Sequence, residues 1–148
     1  AGRRHDDFGF DLAEASRVRG VGTVRVDASG IGAARVRGDE ALLGRVVRNL
    51  VDNAVRHARS TVTLASSVQG GTVLVVVEDD GAGIAPQDRS RVFERFVRLD
   101  EARARDDGGS GLGLAIVADA VRLHGGSVDV QAGATGGARF VVRLPATT

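Results

Sequence analysis

The sequence predicts a mixed helix-and-strand fold built around antiparallel hairpins, on three observations. Aliphatic residues recur at helical spacing in one long stretch, through Leu42, Leu43, Val46, Val47, Leu50, Val51, Ala54 and Val55. Two runs of strand length, residues 61–67 and 72–78, flank a Gly70-Gly71 pair that suits a tight hairpin turn. A second pair of runs, 127–131 and 138–144, brackets another glycine-rich turn. Hairpins of this kind rule out a purely parallel, doubly wound sheet.

The elements follow in order. Residues 1–10 mix charge, glycine and two phenylalanines without periodicity and read as a linker. A short helix is expected over 11–19, with Asp11 as N-cap, Glu14 completing a capping box and Gly20 ending it. Short strands are expected at 23–26 and 33–37. Asp39 then caps the long helix, and Asn49, Asn53, Arg56 and His57 line one face of it beside the apolar stripe. After the hairpin the chain runs into Asp79-Asp80-Gly81-Ala82-Gly83-Ile84. Pro86 suits the first turn of a short helix over 86–96. Residues 98–108 are charged and poor in large apolar side chains, the composition of a mobile loop. A second firm helix is expected over 112–123, stopped by Gly125-Gly126.

Composition excludes several chemistries. The 148 residues suit one domain. All 20 basic side chains are arginine, so a Walker-type lysine and Schiff-base chemistry are both absent. With no cysteine there is no disulfide, thiolate zinc site or thiol nucleophile. His5, His57 and His124 lie too far apart in the chain for a local metal cluster. Charges of both signs are interspersed to a net +1, which argues against a nucleic-acid partner. No apolar run approaches the roughly 20 residues of a membrane span, and no signal peptide is evident. The lack of methionine points to a soluble piece of something longer.

Each candidate feature has two readings on its own. Gly109, Gly111 and Gly113 before a helix can be a turn device, or an anion site with free amides at the positive dipole end. Leu114 stands where the dinucleotide fingerprint needs its third glycine. Asp79 and Asp80 can be a solvated strand exit, or a carboxylate set in a pocket to accept from a ligand amine. Asn49 and Asn53 can cap or face solvent, or an amide oxygen can ligate Mg2+.

Their combination is more specific. Asn49-Leu-Val-Asp-Asn53-Ala-Val-Arg56-His57, Asp79-Asp80-Gly81-Ala-Gly83-Ile84, Phe93-Glu-Arg95-Phe96-Val-Arg98 and Gly109-Ser-Gly111-Leu112-Gly113-Leu114 occur in one fixed order. This order resembles the catalytic, ATP-binding domain of bacterial sensor histidine kinases, with its N box, first glycine box, phenylalanine box and second glycine box. A weaker third glycine box occurs at Thr135-Gly-Gly-Ala138-Arg-Phe140. The resemblance covers about residues 11–145. It implies an α+β, two-layer sandwich in which a mixed, mostly antiparallel sheet packs on about three helices. This is the Bergerat-type ATP-binding fold shared with gyrase, the Hsp90 chaperones and the MutL mismatch-repair proteins.

The resemblance also implies roles. Asp79 would accept from the adenine amino group, with Gly83 allowing close approach and Gly81 and Ile84 in the same nucleotide site. Asn53 would hold Mg2+ between the phosphates, assisted by Asn49, while Arg56 and Arg98 contact phosphates. His57 would stack on adenine. Gly109, Gly111, Leu112 and Gly113 would shape the return of a lid spanning about 84–108. Residues 1–10 would then link to a histidine-bearing dimerisation domain, the phosphoacceptor, and a response regulator would follow as the next partner. The setting implied is the cytoplasmic part of a membrane-anchored, homodimeric receptor, with no direct membrane contact by this domain.

The sequence also departs from the pattern. Thr135 replaces a usual glycine and Ala138 a usual hydroxyl, so hydroxyl support of Asp79 is not expected there. His5 lacks a phosphoacceptor context, and His124 reads as a helix C-terminal residue that favours the dipole when charged. Hydrolysing relatives carry glutamate where Asn49 stands, which favours phosphoryl transfer here. An anti-sigma-factor serine kinase and a non-catalytic module that senses nucleotide or docks a partner are the alternative readings.

Overall fold

The computed structural model describes residues 5–7, 24–32, 35–94 and 113–146. Within them the chain forms β1 (His5–Asp7), β2 (Arg25–Gly30), β3 (Arg35–Arg37), α1 (Glu40–His57), β4 (Thr61–Gln69) and β5 (Thr72–Asp79). After two 3-10 turns come α2 (Gly113–Leu123), β6 (Ser127–Ala132) and β7 (Ala138–Pro145). Five strands make one sheet in the order β2-β4-β5-β7-β6, and β1 pairs with β3 apart from it. Only the β2–β4 pair of the five-stranded sheet is parallel.

The two helices follow from their apolar stripes. Leu43, Val46, Val47, Leu50, Val51 and Ala54 of α1 are all buried, against β4 and β5. Asp39 caps α1 as expected, its Oδ1 accepting from the Leu42 N–H at 3.1 Å. Helix α2 buries Ala115, Val117, Ala118, Ala120 and Val121 and packs on α1, β6 and β7. Gly125, at φ +79°, ends it in a Schellman motif: the Gly126 N–H donates to Val121 O and the Gly125 N–H to Arg122 O. The sheet answers with alternation. Val73, Val75 and Val77 of β5 face the helices, in register with Leu144, Val142 and Phe140 of β7. Gly70 and Gly71 turn the β4–β5 hairpin at φ +54° and +85°, the left-handed pair that a two-residue loop requires.

Several expectations change in detail. Part of the 1–10 linker is a strand, because His5–Asp7 finds backbone partners in Arg35–Arg37. The strand expected at 23–26 is centred later, at Arg25–Gly30, where β4 offers a parallel edge. The helix expected over 86–96 is, as far as Glu94, two single 3-10 turns, Pro86–Asp88 and Arg91–Phe93. Among residues 86–94 only Val92 and Phe93 offer large apolar side chains beside Pro86, and one turn is enough to bury Val92 and half-bury Phe93. Phe93 meets Phe140 edge-to-face, with centroids 6.0 Å apart. Arg89 Nε donates to the Ile84 carbonyl at 3.1 Å and folds the segment back on itself. The helix expected over 11–19, the whole of the loop expected over 98–108 and Leu112 at the start of the second helix lie outside the described residues.

Leu50 is fully buried where α1 meets the sheet. Leu50→Ala is expected to lower stability by about 2–5 kcal/mol in urea titration, whereas Val68→Ala, at an exposed position, should stay within about 0.5 kcal/mol. Equal effects at the two positions would contradict this account of the core.

Candidate functional site

The alternation that buries Val73, Val75 and Val77 continues to Asp79, which is only 3% exposed at the end of β5. A carboxylate in that position needs donors. Backbone amides supply them: Asp79 Oδ1 accepts from the Gly81 N–H at 2.8 Å and the Ala138 N–H at 3.3 Å. Among the described residues both hydrogen bonds fall on Oδ1, which leaves Oδ2 for a ligand donor. The missing hydroxyl at position 138 is thus replaced by that residue's own amide.

Three glycines make this approach possible. A Cβ on Gly137 would overlap the Asp79 carbonyl oxygen, and one on Gly81 would overlap the His57 carbonyl oxygen. Gly83, at φ +82°, packs against the Gly136 carbonyl. The turn after β5 is therefore wedged between the C-terminal end of α1 and the β6–β7 turn.

Glu78 and Asp80 flank Asp79 but do other work. Glu78 Oε2 accepts from the Ala134 N–H at 2.7 Å and Oε1 from Arg139 Nε at 2.8 Å, which fixes the β6–β7 turn. Asp80 Oδ1 accepts from the N–H groups of Arg59, Ser60 and Thr61, and Oδ2 from the Ser60 hydroxyl at 2.7 Å. The Ser60 amide, then its hydroxyl, followed by the Thr61 and Arg59 amides, hold the Asp80 carboxyl well below the usual range despite some desolvation.

Helix α1 supplies the amides. Asn53 is buried, at 9% exposure, and its carboxamide has no hydrogen-bond partner among the described residues. One turn earlier, half-buried Asn49 donates from Nδ2 to the Gly113 carbonyl at 3.3 Å and so joins α1 to the start of α2. Arg56 and His57 are exposed at the last turn of α1. The structure thus gathers Asn49, Asn53, His57, Asp79, Gly81, Gly83 and Gly113 along the path from the end of β5, over α1, to α2. Ile84 follows on the same turn, half-buried against the core. Arg98, Gly109, Gly111 and Leu112 lie outside the described residues.

The sequence reading did not assign Gly137, the Ala138 amide or Glu78 to this site. A signal for the first two existed in the third glycine box, and the period of two in β5 marks Asp79, rather than Asp80, as the inward carboxylate. The donor set suits Mg2+: the buried Asn53 amide, without a partner among the described residues, offers an oxygen, and this cation is commonly held by few protein ligands with phosphates and water completing its shell.

Comparison with known proteins agrees with this geometry. The family model described as "Histidine kinase-, DNA gyrase B-, and HSP90-like ATPase" matches residues 38–148. Sensor protein RstB of Escherichia coli strain K12 is 47% identical over 107 residues, which are 72% of this chain and 25% of RstB. The mycobacterial sensor histidine kinase MprB superposes with a TM-score of 0.83 at 32% identity, covering 96% of each chain. The ATP-binding domain of PrrB from Mycobacterium tuberculosis does so with a TM-score of 0.80 at 30% identity, covering 98% of this chain and 99% of that one. The chain spans only 24% to 30% of the length of the curated relatives it matches.

The Asp80 clamp predicts an acid limb. Its folded value is depressed, so its contribution to stability is complete above the unfolded carboxylate's value of about 3.9 and is lost as pH falls from there towards the folded value. Asp80→Asn should lower the thermal midpoint near neutral pH and flatten its fall below about pH 4. Parallel midpoint-versus-pH curves for the two proteins would refute the clamp.

Proposed function

This chain belongs to the histidine kinase-, DNA gyrase B- and HSP90-like ATPase family, as an ATP-binding domain of the sensor histidine kinase type, and from that premise we propose that it binds Mg-ATP and donates the γ-phosphoryl group to a histidine on a separate helical domain. The observation that carries this reading is a pair of buried polar groups with no hydrogen-bond partner among the described residues, the Asn53 carboxamide and Asp79 Oδ2, in a family whose shared property is ATP binding.

In this proposal Asp79 Oδ2 accepts from the adenine amine, with Gly81, Gly83 and Ile84 shaping the base pocket and His57 stacking on the ring. Asn53 holds Mg2+ and Asn49 assists. When bound, the cation neutralises phosphate charge. Arg56 and Arg98 contact the phosphates, and Gly109, Gly111, Leu112 and Gly113 offer backbone approach at the start of α2. Phosphoryl transfer breaks the bond from the γ-phosphorus to its bridging oxygen and forms one to an imidazole nitrogen, leaving ADP. This chain's part is orientation and charge stabilisation. Asn49 is a poor general base, so water is not activated efficiently.

The same proposal makes residues 1–10 the link to the acceptor domain and 11–148 the catalytic domain, with a lid at about 84–108. It places a response regulator downstream and a homodimeric, membrane-anchored receptor around the whole, this domain lying in the cytoplasm. Among the described residues no helix is long and apolar enough to cross a membrane.

Two measurements test it. Titration calorimetry should show Mg-ADP binding that Asp79→Ala weakens about ten- to a hundredfold, the equivalent of a charged hydrogen bond of roughly 1.5–3 kcal/mol. Unchanged affinity would refute the adenine role. With γ-labelled ATP and the cognate helical domain supplied separately, label should appear on that domain and vanish with Asn53→Ala. Brisk ATP hydrolysis by the chain alone would instead place it among the hydrolysing relatives.

A further inference from the structure

Helices α1 and α2 run antiparallel and are tied by polar bonds at two levels. At one level Asn49 Nδ2 donates to the Gly113 carbonyl. At the other, His124 spans the two helices. Its Nε2 accepts from the Asp39 N–H at 3.1 Å, and its Nδ1 lies 2.7 Å from the Ala120 carbonyl oxygen. An amide can only donate and a carbonyl can only accept, so the ring is neutral with its proton on Nδ1. His124 stands at the C-terminal end of α2, as the sequence predicts, but in this arrangement it does not act there through charge on the helix dipole. The imidazole instead uses both nitrogens, one on the capping residue of α1 and one on the last turn of α2.

We propose that His124 is a positioning residue: by fixing the axial register of α2 against α1, it holds the Gly113 end of α2 level with Asn49 and Asn53, where the phosphates of the nucleotide would lie. The inference rests on the nucleotide reading above. Ten residues separate Asp39 from Asn49, and eleven separate Gly113 from His124. At about 1.5 Å per residue the two ties therefore lie about 15 Å apart on both helices, so a shift at one end is delivered to the other.

Interdigitated aliphatic side chains set this register coarsely, and the directional bonds of Asn49 and His124 to backbone atoms fix it more finely. The ring itself is well held. The Schellman motif at Gly125 fixes the backbone of His124, and Gly38 packs so closely that a Cβ there would overlap His124 Cδ2 and Nε2. The site lies a helix length away from this lock. An axial error of about 1 Å at the phosphates is enough to matter in a positioned reaction.

The test compares adenosine, which engages only the Asp79 end, with Mg-ADP, which also engages the phosphate end, by titration calorimetry. His124→Ala should bind adenosine within about twofold of the unsubstituted chain and lose about five- to tenfold for Mg-ADP, the scale of one or two ordinary hydrogen bonds. His124→Gln, whose Oε1 can replace Nε2 as acceptor, should recover most of that loss. Gly38→Ala, which displaces the ring, should reproduce the loss and add nothing further in the His124→Ala background; it also carries the comparison if His124→Ala does not fold. A lower melting temperature with an unchanged ratio of Mg-ADP to adenosine affinity would overturn the positioning role and leave the nucleotide reading intact. Failure of the unsubstituted chain to bind Mg-ADP would overturn both.

Discussion

The pleat of strand β5 governs the arrangement of the site. A strand sends successive side chains to opposite faces, so the valines that build the core commit Asp79 to the same face as themselves. A buried carboxylate is costly unless donors meet it, and among the described residues those donors are the backbone amides of Gly81 and Ala138. The turn after β5 and the start of β7 are therefore drawn in by one side chain. Glu78, on the opposite face, and Asp80, on the bend, fasten the β6–β7 turn and the α1–β4 connection in the same way. Three consecutive carboxylates hold three different segments around the end of one strand.

This arrangement makes glycine a steric requirement at two points. Gly81 and Gly137 each lie so close to a carbonyl that no side chain fits. Their role is to let backbone reach Asp79, and the Ala138 amide can take over support that a hydroxyl would otherwise give. The departure at position 138 is thus consistent with a working carboxylate.

The helix layer adds a second constraint of another kind. Apolar stripes bury the core faces of α1 and α2 and interdigitate, which sets coarsely how far one helix is displaced along the other. The bonds of Asn49 and His124 are directional and act on backbone atoms near the ends of α2. Directional bonds thus refine, at the site, a register that core packing sets on the same pair of helices.

The sequence by itself determined the long helix and its cap, the two hairpins, the stop at Gly125 and the order of the motifs. Each of these depends on local spacing, a capping side chain or a turn that only glycine accommodates. Local periodicity also carried the inward phase of Asp79. Only the tertiary structure decided that β2 pairs in parallel with β4, that residues 86–94 coil into single turns, and that Asp80 is a clamp. It alone showed that Ala138 lends its amide to Asp79 and that His124 binds as a neutral ring. These outcomes depend on donors and acceptors supplied from parts of the chain up to 85 residues away, which local spacing does not encode.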